Sequence, residues 1–242
     1  MITKVQRFLY KIILCAEFFS ANGILNGHDI SIERAPYHVN YGDICGGALI
    51  HQQWALTTAH CGVEKDFIRV GSRRRLGGAK VAVRRHMVHP QYRREHGFDF
   101  DVLLLQLRRR LHFSERTSMI ELSGGECGDT VFITGWGFPA ERGDYKDILQ
   151  QVRVNVVPIQ ECQGVKEFWY NHTLTSRMFC AGGRDGDACQ GDSGGAAVSY
   201  GRLVGLSSFG YGCGRNIPGV YTNVSDASIK AWIEHYVPLN TQ

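Results

Sequence analysis

Short β-branched and aromatic runs recur along the chain. They cover Trp54 to Ala59, Phe67 to Val70, Lys80 to Val83, Val102 to Leu107 and Val131 to Thr134, then Val152 to Val157, Ala196 to Ser199, Leu203 to Ser208 and Val220 to Val224. Glycine-containing breaks separate many of them, and closely spaced short strands of this kind predict an all-β sandwich or barrel. From Val152 to Val156, valines alternate with Arg153 and Asn155, the period of a half-buried strand. The period changes near the C-terminus. Ile229, Trp232, Ile233 and Tyr236 line one helical face, which predicts a packing helix over Asp226 to Val237 capped by Ser225 or Asp226. A shorter helix is expected around Gln160 to Phe168.

Ahead of the strand pattern, Lys4, Arg7 and Lys11 precede the apolar Ile12 to Ala16, and the small residues Ser20, Ala21 and Gly23 follow. That order predicts a secretory signal over residues 1–23, with cleavage after Gly23 leaving Ile24 as the new N-terminus of a 24–242 domain. No uninterrupted apolar run reaches the roughly 18 to 20 residues of a membrane-spanning helix. The 242 residues are 43% apolar, with 29 Gly against 6 Pro, which excludes wholesale disorder, collagen and coiled coil and allows one large domain or two small ones.

Eight cysteines without a Cys-x-x-Cys pair disfavour metal ribbons and thioredoxin-like redox chemistry. Their wide spacing points to disulfides in an oxidising compartment and leaves the connectivity open. The formal charge of +4 is a mild bias. Arginines cluster at 73–75, 84–85, 93–94 and 108–110, but no aromatics interleave with them as base stacking would need. These runs read as solvated turns and strand edges, with no nucleic-acid partner. Asn171 and Asn223 open glycosylation sequons, and Asn171 is the better acceptor because Asn223 falls in an expected strand.

The chemistry concentrates at Gly191-Asp192-Ser193-Gly194-Gly195, a serine among glycines where reactants approach without side-chain clashes. Serine needs a base, and the base needs an acid to orient it. Thr58-Ala59-His60-Cys61 offers the imidazole, and Asp101, directly before the apolar Val102 to Leu105, offers the carboxylate, with Asp99 its rival two residues earlier. The chain order His, Asp, Ser argues against the α/β-hydrolase elbow that Gly191-x-Ser193-x-Gly195 also fits, since those enzymes run Ser, Asp, His.

With these residues assembled, the chain resembles the chymotrypsin-like serine proteases, in their trypsin-like branch. Ile24-Leu25-Asn26-Gly27, Cys45-Gly46-Gly47, Gly135-Trp136-Gly137, Asp187 to Gly195, Ser208-Phe209-Gly210 and Pro218-Gly219-Val220-Tyr221 follow in the family's order. The resemblance implies two six-stranded antiparallel Greek-key barrels, dividing near residues 115–125, and a C-terminal helix. It implies a secreted, extracellular, monomeric serine endopeptidase needing no cofactor or metal, with polypeptide substrates and protein protease inhibitors as partners. The loop after Gly71 lacks the carboxylates of a calcium site. The alternative is a non-catalytic or zymogen-locked protein of this fold that binds polyanions or protein partners.

By the same resemblance His60, Asp101 and Ser193 form the triad, the N–H groups of Gly191 and Ser193 the oxyanion hole, and Ser208 supports the aspartate. Asp187 would sit at the base of the primary pocket, walled by Ser208, Phe209, Gly210 and Gly219. The substrate would then carry Arg or Lys before the cut, with Arg preferred because Ala188 replaces a hydroxyl that helps bind an ammonium. Asp192 would pair with the free amine of Ile24. Gly23 stands where relatives are cut after Arg or Lys, so signal removal itself is expected to expose Ile24. The implied disulfides are Cys45–Cys61, Cys162–Cys180 and Cys189–Cys213. Cys127 is left as a free thiol or, if residues 1–23 are retained, a partner for Cys15. The arginines at 73–75 are expected to invite self-cleavage.

Overall fold

In the computed structural model, residues 24–125, 127–165, 170, 172–183 and 186–239 are described. The expected signal at residues 1–23, with Cys15, and the expected acceptor Asn171 lie outside them. In chain order the strands are β1 (His28–Asp29), β2 (His38–Tyr41), β3 (Cys45–His51), β4 (Trp54–Thr57), β5 (Phe67–Val70), β6 (Ala79–Val88), β7 (Leu103–Leu107) and β8 (Thr130–Gly135). They continue with β9 (Gln150–Val157), β10 (Met178–Ala181), β11 (Ala196–Ser199), β12 (Arg202–Phe209) and β13 (Gly219–Asn223). The helices are α1 (Ile159–Gly164) and α2 (Ala227–Tyr236).

Two closed six-stranded antiparallel barrels result. The first runs β2-β3-β4-β7-β6-β5. The second runs β9-β10-β13-β12-β11-β8 and closes through β8 on β9, with the two-residue β1 added outside β9. Strand β7 shows why its sequence is almost wholly apolar. Leu103, Leu105 and Leu107 point into the first barrel, while Leu104, with Val102 just ahead of the strand, packs against Trp136, Leu206, Ile229 and others from the second half of the chain. With a barrel interior on one face and the neighbouring barrel on the other, alternation of polarity disappears.

Ile24 is fully buried among Val131, Ile133, Val152 and Tyr221 inside the second barrel. The C-terminal helix packs Ile229 and Ile233 into the core between the barrels, and the Asp226 carboxylate accepts from the N–H groups of Ser228 and Ile229, which makes Asp226, not Ser225, its cap. Three disulfides join Cys45 to Cys61, Cys162 to Cys180 and Cys189 to Cys213. Cys127 is a half-buried free thiol whose pKa burial pushes up to about 11.

The expectation of self-cleavage at 73–75 fits this fold poorly. The carbonyl of Arg73 accepts from Leu149 N and Trp136 Nε1, that of Arg75 accepts from Asn40 Nδ2, and Arg74 bridges to Ile148. The arginine loop is therefore pinned to the segment leading into β9, and a protease needs an extended, detachable strand.

Candidate active site

His60 sits in a single 3-10 turn, 59–61, directly after β4, and the disulfide from Cys61 to Cys45 on β3 fixes that turn. Its ring Nδ1 lies 2.7 Å from Asp101 Oδ2, and its backbone N–H donates to Oδ1 at 2.9 Å. Ser208 Oγ on β12 donates to Oδ2 at 2.5 Å, and Thr222 Oγ1 on β13 donates to the Asp101 carbonyl at 3.0 Å. Asp101 is completely buried, yet donors from both barrels satisfy it. Asp99 answers differently. It is tied to Arg177 and Thr175 and makes no bond to His60.

Ser193 lies in the loop entering β11. Gly194 behind it has φ +77°, and a Cβ there would come within 2.2 Å of Thr57 Oγ1 and 2.5 Å of the Gly46 carbonyl, so only glycine fits. Gly46 in turn passes so near this loop that a Cβ would meet Gly195 Cα at 2.9 Å, which explains a glycine inside strand β3. The N–H groups of Gly191 and Ser193 have no acceptor among the described residues. His60 and Ser193 line one cavity of about 230 Å³, with no hydrogen bond between imidazole and hydroxyl. Such contacts tighten when substrate binds.

That cavity is also lined by Phe98, Ala188, Gln190, Ser208, Phe209, Gly210 and Gly219. Behind it Asp187 is 1% exposed, with Oδ2 accepting from Gly214 N at 3.2 Å and Oδ1 without a partner among the described residues. Burial pushes its carboxyl up to about 8, helped by the nearby charge of Asp192. The Tyr221 hydroxyl, also buried and unpartnered, faces the same spot, since a Cβ on Gly219 would lie 3.0 Å from Asp187 Oδ1 and 3.5 Å from Tyr221 Oη. Two buried polar groups without partners among the described residues thus lie side by side behind the cavity.

Asp192 is fully buried, with Oδ1 accepting from Gly137 N at 2.8 Å and Oδ2 from Cys189 N at 2.9 Å. Burial pushes its carboxyl up to about 7. Among the described residues no cation pairs with it.

The Trypsin family model matches residues 24–233. The chain belongs to the trypsin family. Among its relatives, Trypsin of Phaedon cochleariae is 38% identical over 87% of this chain and 86% of its own, and Serine protease 1 of Homo sapiens 34% over 94% and 95%. Among solved structures, mouse neuropsin, titled a serine protease, superposes with a TM-score of 0.80 at 28% identity, covering 88% of this chain and 99% of its own. This trypsin-family chain is a serine endopeptidase acting on polypeptides.

Three residues in or beside the trypsin-family cleft have no role assigned to them in the sequence. Phe98 stacks on Phe209 at 4.6 Å and meets the His60 ring edge-on at 5.8 Å. Tyr221 was quoted only as part of a motif, although strand periodicity puts it on the same face as Gly219. Arg177 carried no signal at all, because its partner Asp99 is distant in sequence.

Proposed function

We propose that this trypsin-family enzyme cleaves polypeptides after Arg, and less well after Lys, using His60, Asp101 and Ser193. Ser193 Oγ attacks the scissile carbonyl while His60 Nε2 takes its proton and returns it to the leaving amine. Asp101 holds Nδ1–H and stabilises the imidazolium, and Ser208 holds Asp101. The free N–H groups of Gly191 and Ser193 supply donors for the oxyanion, each typically worth about 3 to 4 kcal/mol.

The observation that carries the specificity is the unpartnered Asp187 Oδ1 at the end of a glycine-walled pocket. A guanidinium entering there can give that oxygen its donor and draw the carboxyl into its ionised form, releasing a proton. Lys presents a compact ammonium without the fork, and Ala188 offers no hydroxyl to complete its coordination. The buried Asp192 lacks a cation in the same way, and the α-ammonium of a free Ile24 would supply it. Cleavage after Gly23 would remove residues 1–23 as a signal and create that amine in one step. Secretion is supported by the three disulfides and the apolar leader.

The test is a peptide library varied at the residue before the cut, assayed on secreted protein of determined N-terminus. Arg peptides should exceed matched Lys peptides, and both should exceed Leu, Phe and Glu peptides by at least roughly 100-fold. Comparable turnover of Leu or Phe peptides would overturn the role of Asp187. Activity in material beginning elsewhere than Ile24 would overturn the role of its amine.

A further inference from the structure

Residues 98–101 belong to the first half of the chain, yet each of the four fastens onto the second barrel. Phe98 stacks on Phe209, and Asp101 receives Ser208 and Thr222. Phe100 lies under the Arg177 guanidinium, 4.6 Å from its ring centre, with His89 stacked at 4.4 Å. Asp99 makes the densest attachment. Its Oδ1 accepts from Arg177 Nε at 2.8 Å, Thr175 Oγ1 at 2.9 Å and the Phe100 N–H at 3.1 Å, and its Oδ2 accepts from Arg177 Nη2 at 2.6 Å.

The geometry points to Asp99 and Arg177 as a positioning pair that sets the alignment of His60 and Asp101 against Ser193. The reacting groups divide between the barrels, so their spacing depends on how the barrels are held, and this fork is a directional bond between them next to the cleft. Asp99 is 1% exposed and Arg177 is anchored in turn, its carbonyl accepting from Asn223 N on β13 at 2.9 Å. Phe100, between Asp99 and Asp101, holds φ +52°, a conformation an aromatic residue keeps only under constraint. The clamp and the stacked ring supply that constraint. Without them Phe100 can relax to negative φ, which turns the Asp101 carboxylate relative to the imidazole.

This inference rests on the proposed triad and separates from it experimentally. Asp99→Asn, Arg177→Lys and Thr175→Val are compared with wild type for kcat, KM, the acid limb of kcat/KM against pH, melting temperature and labelling by a fluorophosphonate. Asp99→Asn should lower kcat by roughly 10- to 100-fold with KM on a small Arg substrate nearly unchanged, as misplacement of a reacting group does. Its acid limb should move to lower pH, because a displaced Asp101 stabilises the imidazolium less. Arg177→Lys, which keeps the charge and loses the fork, should fall between. Thr175→Val leaves the fork in place and should fold, with a smaller loss in the same direction. A lowered melting temperature with kcat and acid limb unchanged in Asp99→Asn and Thr175→Val would reduce the pair to a structural ion pair. Failure of the fluorophosphonate to label wild-type Ser193 would sink the triad and this inference together, whereas normal labelling with unaffected variants sinks only the latter.

Discussion

The buried Asp192 makes a quantitative prediction about the uncut chain, in which Ile24 has no free amine. Its carboxyl is pushed up to about 7 in the fold, while the unfolded chain keeps the ordinary value of 3.8. Between those values the native state holds a proton that the unfolded state has lost, so stability must fall as pH rises. The slope is about 1.4 kcal/mol per pH unit, and the gap gives about 4 kcal/mol as an upper bound, present in full below pH 4 and lost by about pH 7. Asp192→Asn removes the titration. The variant also turns one amide N–H of the side chain toward a backbone donor, Gly137 N or Cys189 N, at a pH-independent cost of about 1 to 3 kcal/mol. The slope, not the offset, is therefore the readout.

The assay is equilibrium urea unfolding of the full chain with disulfides intact, from pH 4 to 8, on a Ser193→Ala background that cannot digest itself. Asp187, raised to about 8 by burial and by the nearby charge of Asp192, adds a decline of its own to both proteins, so the difference between the curves reports Asp192 together with its coupling to Asp187. The Asp192→Asn protein should lose distinctly less stability over this range. Cutting after Gly23 should also flatten the decline, because a neighbouring ammonium holds the carboxylate ionised. Parallel curves for the two uncut proteins would refute the reasoning.

Three further outcomes follow from single contacts. Asp187→Ser should lower kcat/KM for Arg substrates by roughly 100- to 1,000-fold, the loss of a desolvated charge pair, with little effect on melting temperature, as kinetics and calorimetry would show. Gly194→Ala should prevent a functional Ser193 loop, because φ +77° and the 2.2 Å approach to Thr57 Oγ1 leave no room for a methyl group, and an active-site titration should return almost no competent sites. Replacing Cys189 and Cys213, separated by 24 residues, with alanine should cost about 3.5 kcal/mol by chain entropy and raise KM for basic peptides more than it lowers melting temperature would suggest, since that bridge borders the pocket.

How far the sequence could be read depended on how many faces of each segment are buried. Strand β9 shows Val152 and Val154 buried against exposed Arg153 and Asn155, so its alternation was visible. The expected helix at 226–237 is α2 for the same reason. Strands β1, β2, β3 and β10 were not anticipated: in β2, His38-Val39-Asn40-Tyr41 is buried throughout, and its polar His38 and Asn40 mask the run. Strand β6 extends to Val88, past the expected Val83, because a bulge between Val83 and Arg85 shifts its register and lets a basic stretch continue the ladder. Around the cleft, most residues tied to short motifs were legible, whereas Phe98 and Arg177 acquire their roles through neighbours far along the chain.

The two raised carboxyls are coupled, and under the proposed function that coupling would link activation to specificity. The charge of Asp192 is among the influences that push Asp187 up, so any cation that neutralises Asp192 must ease the ionisation of Asp187. On the proposed reading the Ile24 ammonium is that cation, and above about pH 7, where an unpaired Asp192 would be ionised, a cut chain would present a more fully ionised pocket to an incoming guanidinium. Linkage requires the reverse as well: a basic ligand in the pocket must lower the charge repulsion felt by Asp192 and strengthen its pairing with Ile24 by the same factor. Benzamidine, a small amidinium, should therefore slow hydrogen exchange at Gly137 N and Cys189 N, the two donors to Asp192, in the cut form. In a Ser193→Ala protein left uncut the same ligand should bind more weakly, and equal affinity for the two forms would show that the carboxyls do not communicate.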